Sequence, residues 1–324
     1  MVFNKLTDSK NILMNKYLNK SFTFPAPAKL NLFLHVVGQR NDGYHELETL
    51  FQFIDRSDTI EITITDNSEV SLLTPIDGVS NEENLIVKAA RLLQNKVRQE
   101  HQEAPLLGAE ISITKVLPMG GGLGGGSSNA ATILVALNTL WQCNFSTKQL
   151  SELGLSLGAD VPIFIHGFAA FAQGVGEKLS PAQPEECWYL VSKPESSIST
   201  ASVFTSPDLP RNTTRLTDFD FDTPSNFGDI ITDYPLNNGK YHNDCQTMVI
   251  KNYDKVANLL AWLVEYAPSR MTGTGACIFS CFSCKQAAYD LQAMLPQGVS
   301  SFIAKGLNKS SLLPVIEDLN KQEN

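Results

Sequence analysis

Residues Pro118-Met119-Gly120-Gly121-Gly122-Leu123-Gly124-Gly125-Gly126-Ser127-Ser128-Asn129 place six glycines in seven consecutive positions. Glycine loses more backbone entropy on ordering than any other residue, so packing does not account for the run. A chain without Cβ atoms can turn several N–H groups onto one anion. A helix opening at the end of such a loop adds its own free N–H groups and the positive end of its dipole. The chemistry predicted is phosphate binding, with Ser127 and Ser128 able to cap the helix, touch phosphate oxygens or help hold Mg²⁺. Lys29 and Asn31 alternate with Leu30 and Leu32, and Asp160 stands in Gly158-Ala159-Asp160-Val161-Pro162. A carboxylate facing a lysine could take a hydroxyl proton, while the ammonium keeps it ionised and steadies developing charge. Taken alone, each residue has a plainer reading. A turn aspartate is commonly a cap, and a strand lysine commonly reaches past apolar neighbours to water. Tyr44 and His45 follow a turn, as an exposed hairpin end or as a platform where a base stacks and the imidazole meets its polar edge.

The glycine pattern separates several phosphate loops. No lysine follows its last glycine, which excludes the Walker A loop. Gly120, Gly122 and Gly125 satisfy G-x-G-x-x-G, but Gln142 to Phe145 lack the acidic residue that a dinucleotide fold needs about 20 residues on. His-Arg-Asp and Asp-Phe-Gly, which accompany a protein-kinase loop, do not occur.

Positioning these residues requires strands before and a helix after them. Lys29 to Val37 alternate with period 2, Leu30, Leu32, Leu34 and Val36 on one face and Lys29, Asn31, Phe33 and His35 on the other. With Asn41-Asp42-Gly43 as a turn, Leu47 to Ile54 and Ile60 to Ile64 complete an expected three-stranded antiparallel meander. Asn81 or Asn84 can cap a helix whose apolar face is Leu85, Ile86, Ala89, Leu92 and Leu93. Glu110 to Val116 should be a strand, Ala130 to Trp141 a buried helix, and Gln149 to Gly158 a shorter helix with a glycine cap. Residues 206–240 read as loop. A helix (253–266), a glycine turn (272–275), a strand (276–282) and a helix (285–294) are expected beyond it.

The chain has 324 residues, 18% of them charged and 43% hydrophobic, and a net charge of -9. Its length favours two domains. A general nucleic-acid binder would need a basic face, so no nucleic-acid partner is expected. No apolar run reaches the ~18 residues of a membrane span, and residues 1–21 lack the apolar stretch of a secretory signal. No membrane partner and a cytoplasmic location are therefore expected, with residues 1–21 as a disordered or loosely packed extension. The six cysteines are too sparse for a disulfide scaffold. Cys281 and Cys284 form a lone C-x-x-C with no histidine nearby, so all six are expected to be small buried apolar residues and no metal site is assigned.

Pro118 to Ser128, opening a helix after a strand, resembles the ATP loop of the GHMP kinases. The segments 25–34, 42–47 and 158–162, with the turn Thr272-Gly273-Thr274-Gly275-Ala276-Cys277, are similar to the branch of that family acting on a diphosphocytidyl-linked methylerythritol. The resemblance spans residues 22–310. It implies an α+β fold of two domains, one like ribosomal protein S5 domain 2 (22–185) and one ferredoxin-like (186–315), with the active site in the cleft between them. It implies ATP and Mg²⁺ as cofactors and a small cytidyl substrate as partner; a monomer or a homodimer is expected. It implies Asp160 as catalytic base and Lys29 as its partner, and residues 118–128 on the phosphates with Asn84 and Lys115 near the adenine. Asn31 and the turn at Thr272 and Gly273 would meet the acceptor, and Tyr44, His45 and Phe204 the cytosine. Gln246 stands where many members have Glu and is assigned no role. Another GHMP kinase, for homoserine or mevalonate, and a silent nucleotide-binding protein on the same fold are the alternatives. An NAD-binding oxidoreductase is a more distant third.

Overall fold

Asp42 and Gly43 turn the chain back on itself: Gly43 takes φ +89°, and the Asp42 carboxylate accepts from the Tyr44 N–H at 3.1 Å. This turn joins the two longest strands of the computed structural model, which describes residues 15–101, 106–216 and 240–321. The elements are β1 (Ser21–Gln39), β2 (His45–Thr65), β3 (Val70–Leu72), α1 (Leu85–Glu100), β4 (Gly108–Thr114), α2 (Gly125–Leu140), α3 (Thr147–Leu155) and α4 (Val161–His166). Then follow β5 (Ala170–Gly174), β6 (Lys178–Pro181), β7 (Trp188–Pro194), α5 (Thr200–Thr205), α6 (Asp244–Asn252) and α7 (Asp254–Leu263). The described chain closes with β8 (Ser269–Met271), β9 (Ile278–Phe282), α8 (Lys285–Gln292), β10 (Val299–Leu307) and α9 (Leu312–Lys321).

The expected meander is instead one hairpin, because Leu47 to Ile54 and Ile60 to Ile64 both belong to the single strand β2. β1 lines one edge of β2 along its length. The other edge takes β5 at Leu47 to Phe51, β10 at Phe53 and Ile54, and β4 at Thr59 to Thr65, all antiparallel. β10 also pairs with β7, so ten strands of the described residues share one sheet. The simple alternation expected of β1 also fails. Its register slips between Asn31 and Phe33, making Leu32 an extra residue. Such a bulge re-aims the side chains beyond it. Phe33 therefore joins Leu30 and Leu32 in one apolar cluster, while Leu34 and Val36 enter another. Bulges flank Lys29 and Asn31 on both sides.

Among the described residues, three apolar clusters make the core. One packs α1 and α2 on β1, β2 and β4, and it includes Leu312, Ile316 and Leu319 of α9, which returns to the first half of the chain. A second packs α6, α7 and α8 on β7, β8 and β9. The third lies where the two meet and joins Leu30, Phe33 and Ile54 to Tyr189 and Phe279. The loose extension expected for 1–21 is corrected within its described part. Tyr17 is buried edge-on to Phe22, and Asn15 donates to the Leu140 carbonyl at 2.9 Å. Residues 1–14, and 217–239 of the expected loop, lie outside the described residues.

Other boundaries shift for local reasons. α2 begins at Gly125, so the last two glycines of the run and both serines are helical. α3 ends at Ser156 in right-handed geometry, without the expected glycine cap. Cys284 is exposed and Cys143 half-buried, so the expectation of six buried thiols holds only for the other four. Among the described residues, no helix is long and apolar enough to cross a membrane.

Candidate active site

The glycine loop rests on the second half of the chain. Ala276 N–H donates to the Gly120 carbonyl at 3.0 Å, Cys277 N–H to Gly121 at 3.2 Å, and the Thr272 hydroxyl to Gly122 at 3.4 Å. The contact is too close for any side chain: a Cβ on Gly122 would lie 2.1 Å from the Thr272 carbonyl oxygen, and Gly122 has φ +73°. Gly124, with φ +71°, is the residue before α2, and its own added Cβ would strike the Phe164 ring at 2.7 Å. Gly125 and Gly126 differ, because a Cβ on either would come no closer than 3.5 Å to protein. The protein does not need glycine there, whereas a ligand approaching the backbone does.

α2 therefore opens with no side-chain cap. Neither serine caps it. Ser127 lines the cleft, while Ser128 is fully buried and its hydroxyl has no partner among the described residues. The N–H groups of Gly125, Gly126 and Ser127 have no backbone partner among the described residues. An uncapped helix end beside glycines that no protein atom crowds fits a phosphate chain.

The loop is held from behind by Asp58, a fully buried carboxylate on β2 that sequence reasoning missed. Its Oδ1 accepts from the Val116 and Leu117 N–H groups at 2.8 and 2.9 Å, and its Oδ2 accepts from Asn129 Nδ2 and pairs with Lys115 Nζ. One side chain thus ties the strand before the loop to the helix after it. An Asp in the polar segment 55–59 between two apolar stretches carries no pattern marking it for this. Lys115, expected near an adenine, spends two of its three donors on Asp58 and Asn129. Asn84 caps α1 through its Oδ1, and both residues also line the cleft.

Lys29 and Asp160 meet beside the loop. Lys29 Nζ lies 3.2 Å from Asp160 Oδ2, and their side chains are 3% and 35% exposed, so the carboxylate opens to the cleft and the ammonium does not. Lys29 also donates to Asn31 Oδ1 at 2.6 Å and to the Gly122 carbonyl at 3.1 Å. Burying an ammonium without such partners would carry a large desolvation cost. Asp160 precedes α4 and its side chain makes no cap bond, which sets aside the plainer reading of a turn aspartate. Asn31, expected on the acceptor, gives its other end to Thr49 Oγ1 at 2.9 Å and so fixes Lys29.

The turn at 272–275 divides its residues. Gly273 and Thr274 line the cleft. Thr272, expected to meet substrate, is fully buried, and its hydroxyl accepts from the Asn31 N–H at 2.9 Å. Gln246 is corrected too: it has a structural part, its Oε1 accepting from the Met271 N–H at 2.9 Å. Asn243 Nδ2 donates to the carbonyls of Met271 and Gly273 at 2.7 and 2.8 Å. An amide in place of a carboxylate is able to accept this backbone bond without burying a charge.

At the far end of the cleft stand Tyr44, 61% exposed, with His45 and Phe204. The His45 and Phe204 ring centroids are 5.2 Å apart and inclined at 32°. Burial, and then the neighbouring Arg211 charge, hold His45 below the usual imidazole range. The whole cleft measures about 1090 Å³, at the upper end of small-molecule sites, and runs unbroken from Tyr44 past Asp160 to Asn84.

Residues 84–168 match the GHMP kinases N terminal domain. With the glycine loop at a helix start and the cleft it faces, the fold and site define a GHMP kinase. A 4-diphosphocytidyl-2-C-methyl-D-erythritol kinase of Colwellia psychrerythraea is 63% identical over 95% of this chain and 98% of its own length. One from Shewanella frigidimarina is 53% identical over 92% of this chain and 96% of its own. A crystal structure of 4-(cytidine 5'-diphospho)-2C-methyl-D-erythritol kinase superposes with TM-score 0.68 at 28% identity, covering 88% of this chain and 99% of that one. A mevalonate kinase structure, at TM-score 0.59 and 15% identity over 89% of this chain and 100% of that one, shares the fold. The chain belongs to the 4-diphosphocytidyl-2-C-methyl-D-erythritol kinases.

Proposed function

We propose that this chain transfers the γ-phosphoryl group of ATP to the 2-hydroxyl of 4-diphosphocytidyl-2-C-methyl-D-erythritol, releasing the 2-phosphate and ADP, in the non-mevalonate route to isoprenoids. The observation that carries this reading is the Lys29–Asp160 pair, set beside the glycine loop in a cleft that continues to Tyr44, His45 and Phe204. Phosphoryl transfer needs positioning and charge neutralisation more than covalent help. The phosphates lie on the N–H groups of Gly125, Gly126 and Ser127. Asn84 and Lys115 face the nucleoside end of ATP.

The acceptor is a tertiary alcohol, crowded and weakly acidic. Asp160 accepts its proton as the new P–O bond forms. Lys29 pairs with that carboxylate and steadies negative charge on the transferring group. Asn31 and Thr272 hold Lys29 and the loop in register. Ser127 lines the cleft beside the glycine loop and would give one oxygen to a magnesium ion that otherwise keeps phosphate and water ligands. Bound there, Mg²⁺ would neutralise phosphate charge. Residues 22–185 carry the ATP side of the cleft and residues 186–315 close it from the other.

Tyr44 is the most exposed of the three aromatic groups at the cytosine end, so its removal should leave the core intact. Stacking of a base on an aromatic ring is worth about 1–3 kcal/mol, which at the middle of that range is roughly 30-fold. Tyr44→Ala is expected to raise KM for the cytidyl substrate on that scale while KM for ATP moves little. Equal increases for both substrates would remove Tyr44 from the cytosine site.

A further inference from the structure

Arg211 reaches the cleft with its guanidinium fixed by three carbonyls. Nη1 donates to Leu209 at 2.9 Å, and Nη2 donates to Ser206 at 2.7 Å and to Phe204 at 3.2 Å. Its Nε–H points at His45 Nε2 at 3.1 Å. A guanidinium has five N–H donors and no acceptor, so the nitrogen it meets must offer a lone pair. His45 Nε2 is therefore unprotonated, and the single proton of the neutral ring sits on Nδ1. Nδ1 has no hydrogen-bond partner among the described residues, and the ring lines the cleft against Phe204.

We infer that Arg211 is a specificity-determining positioning residue: it fixes His45 as the Nδ1–H tautomer, so the imidazole presents only a donor to the base. Cytosine offers acceptors at N3 and O2. Uracil carries N3–H, which would meet the His45 donor head-on. The arrangement selects cytosine over uracil through a residue that need not touch the base. The inference rests on the cytosine reading of this end of the cleft and deepens it. The same guanidinium fixes the carbonyl of Phe204, joining ring position and tautomer in one side chain.

Two measurements test it. The first is the ¹⁵N–¹H correlation spectrum of the histidine rings in the free protein at neutral pH, with His45 assigned from a His45→Asn variant. The proton is expected on Nδ1, and in Arg211→Met a substantial share should move to Nε2. A proton on Nε2 in the unsubstituted protein overturns the inference. The second compares kcat/KM for the cytidyl substrate with that for its uridine-diphosphate-linked counterpart. Losing one oriented hydrogen bond should narrow the cytidyl preference of Arg211→Met by about tenfold. An equal loss on both substrates would mean that Arg211 only props Phe204, and would overturn the role in selection. The two failures are separable. Turnover of the cytidyl substrate with the proton on Nε2 sinks the inference alone. An Nδ1 proton with no preference between the two nucleotides sinks the cytosine reading and the selective role together.

Discussion

Asp160→Ala is expected to lose about 10²- to 10⁴-fold in kcat, the usual cost of removing a general base, while still binding ATP. The expectation comes from the surroundings of the side chain. It is 35% exposed and its side chain caps no helix, so truncation removes no cap bond. The ammonium left behind keeps Asn31 and the Gly122 carbonyl, at 2.6 and 3.1 Å. The loop that would hold the phosphates should therefore stay formed. Steady-state kinetics with saturating acceptor, beside ATP titration of the free variant, separates the two effects. A variant with near wild-type kcat would remove Asp160 from the chemistry. A variant that no longer binds ATP would make the carboxylate a prop of the loop.

Asp58→Ala should act on the opposite property. Four donors converge on this fully buried carboxylate, from Val116, Leu117, Asn129 and Lys115. Truncation leaves two backbone N–H groups, an amide and a partly buried ammonium without their acceptor. Breaking a buried ion pair by removing one partner costs about 3–5 kcal/mol. Urea unfolding should show a loss of that size. ATP affinity should fall as well, because Asp58 ties the strand before the glycine loop to the helix after it, whereas KM for the cytidyl substrate should move less. Unchanged stability would mean that the four donors find other acceptors, and that Asp58 does not organise the loop.

The contrast between these two carboxylates shows what the sequence can and cannot reveal. Asp160 is legible because its Gly-x-Asp-x-Pro turn lies downstream of a glycine loop and matches the position the family resemblance implies for a base; taken alone it reads as a cap. Asp58 lies among Asp55, Arg56 and Ser57, where the residues read as the end of a strand. Only the fold makes it internal: β2 does not stop at Ile54 but runs on to Thr65, with β1 along one edge and β4 along the other. The same long strand undid the expected meander.

Periodicity located β1 but not the bulge at Leu32, since a single extra residue leaves the apolar pattern intact while re-aiming the side chains after it. The short strands β5, β6 and β8 gave too few residues for any period to emerge. Thr272 and Gln246 were read by type, and burial decided their parts: the hydroxyl is spent on β1 and the loop, and the amide supports the strand leading into the turn. Arg211 had no visible role because its partner, His45, lies 166 residues away in the chain.

The most direct test of the kinase reading is ADP release by the purified protein with MgATP and, in parallel, 4-diphosphocytidyl-2-C-methyl-D-erythritol, homoserine and mevalonate. Release with the cytidyl substrate alone is the predicted result. Release with homoserine or mevalonate in its place would keep the kinase chemistry of Lys29 and Asp160 and contradict the cytosine end of the cleft. No release with any acceptor, from protein that binds ATP, would contradict the central claim.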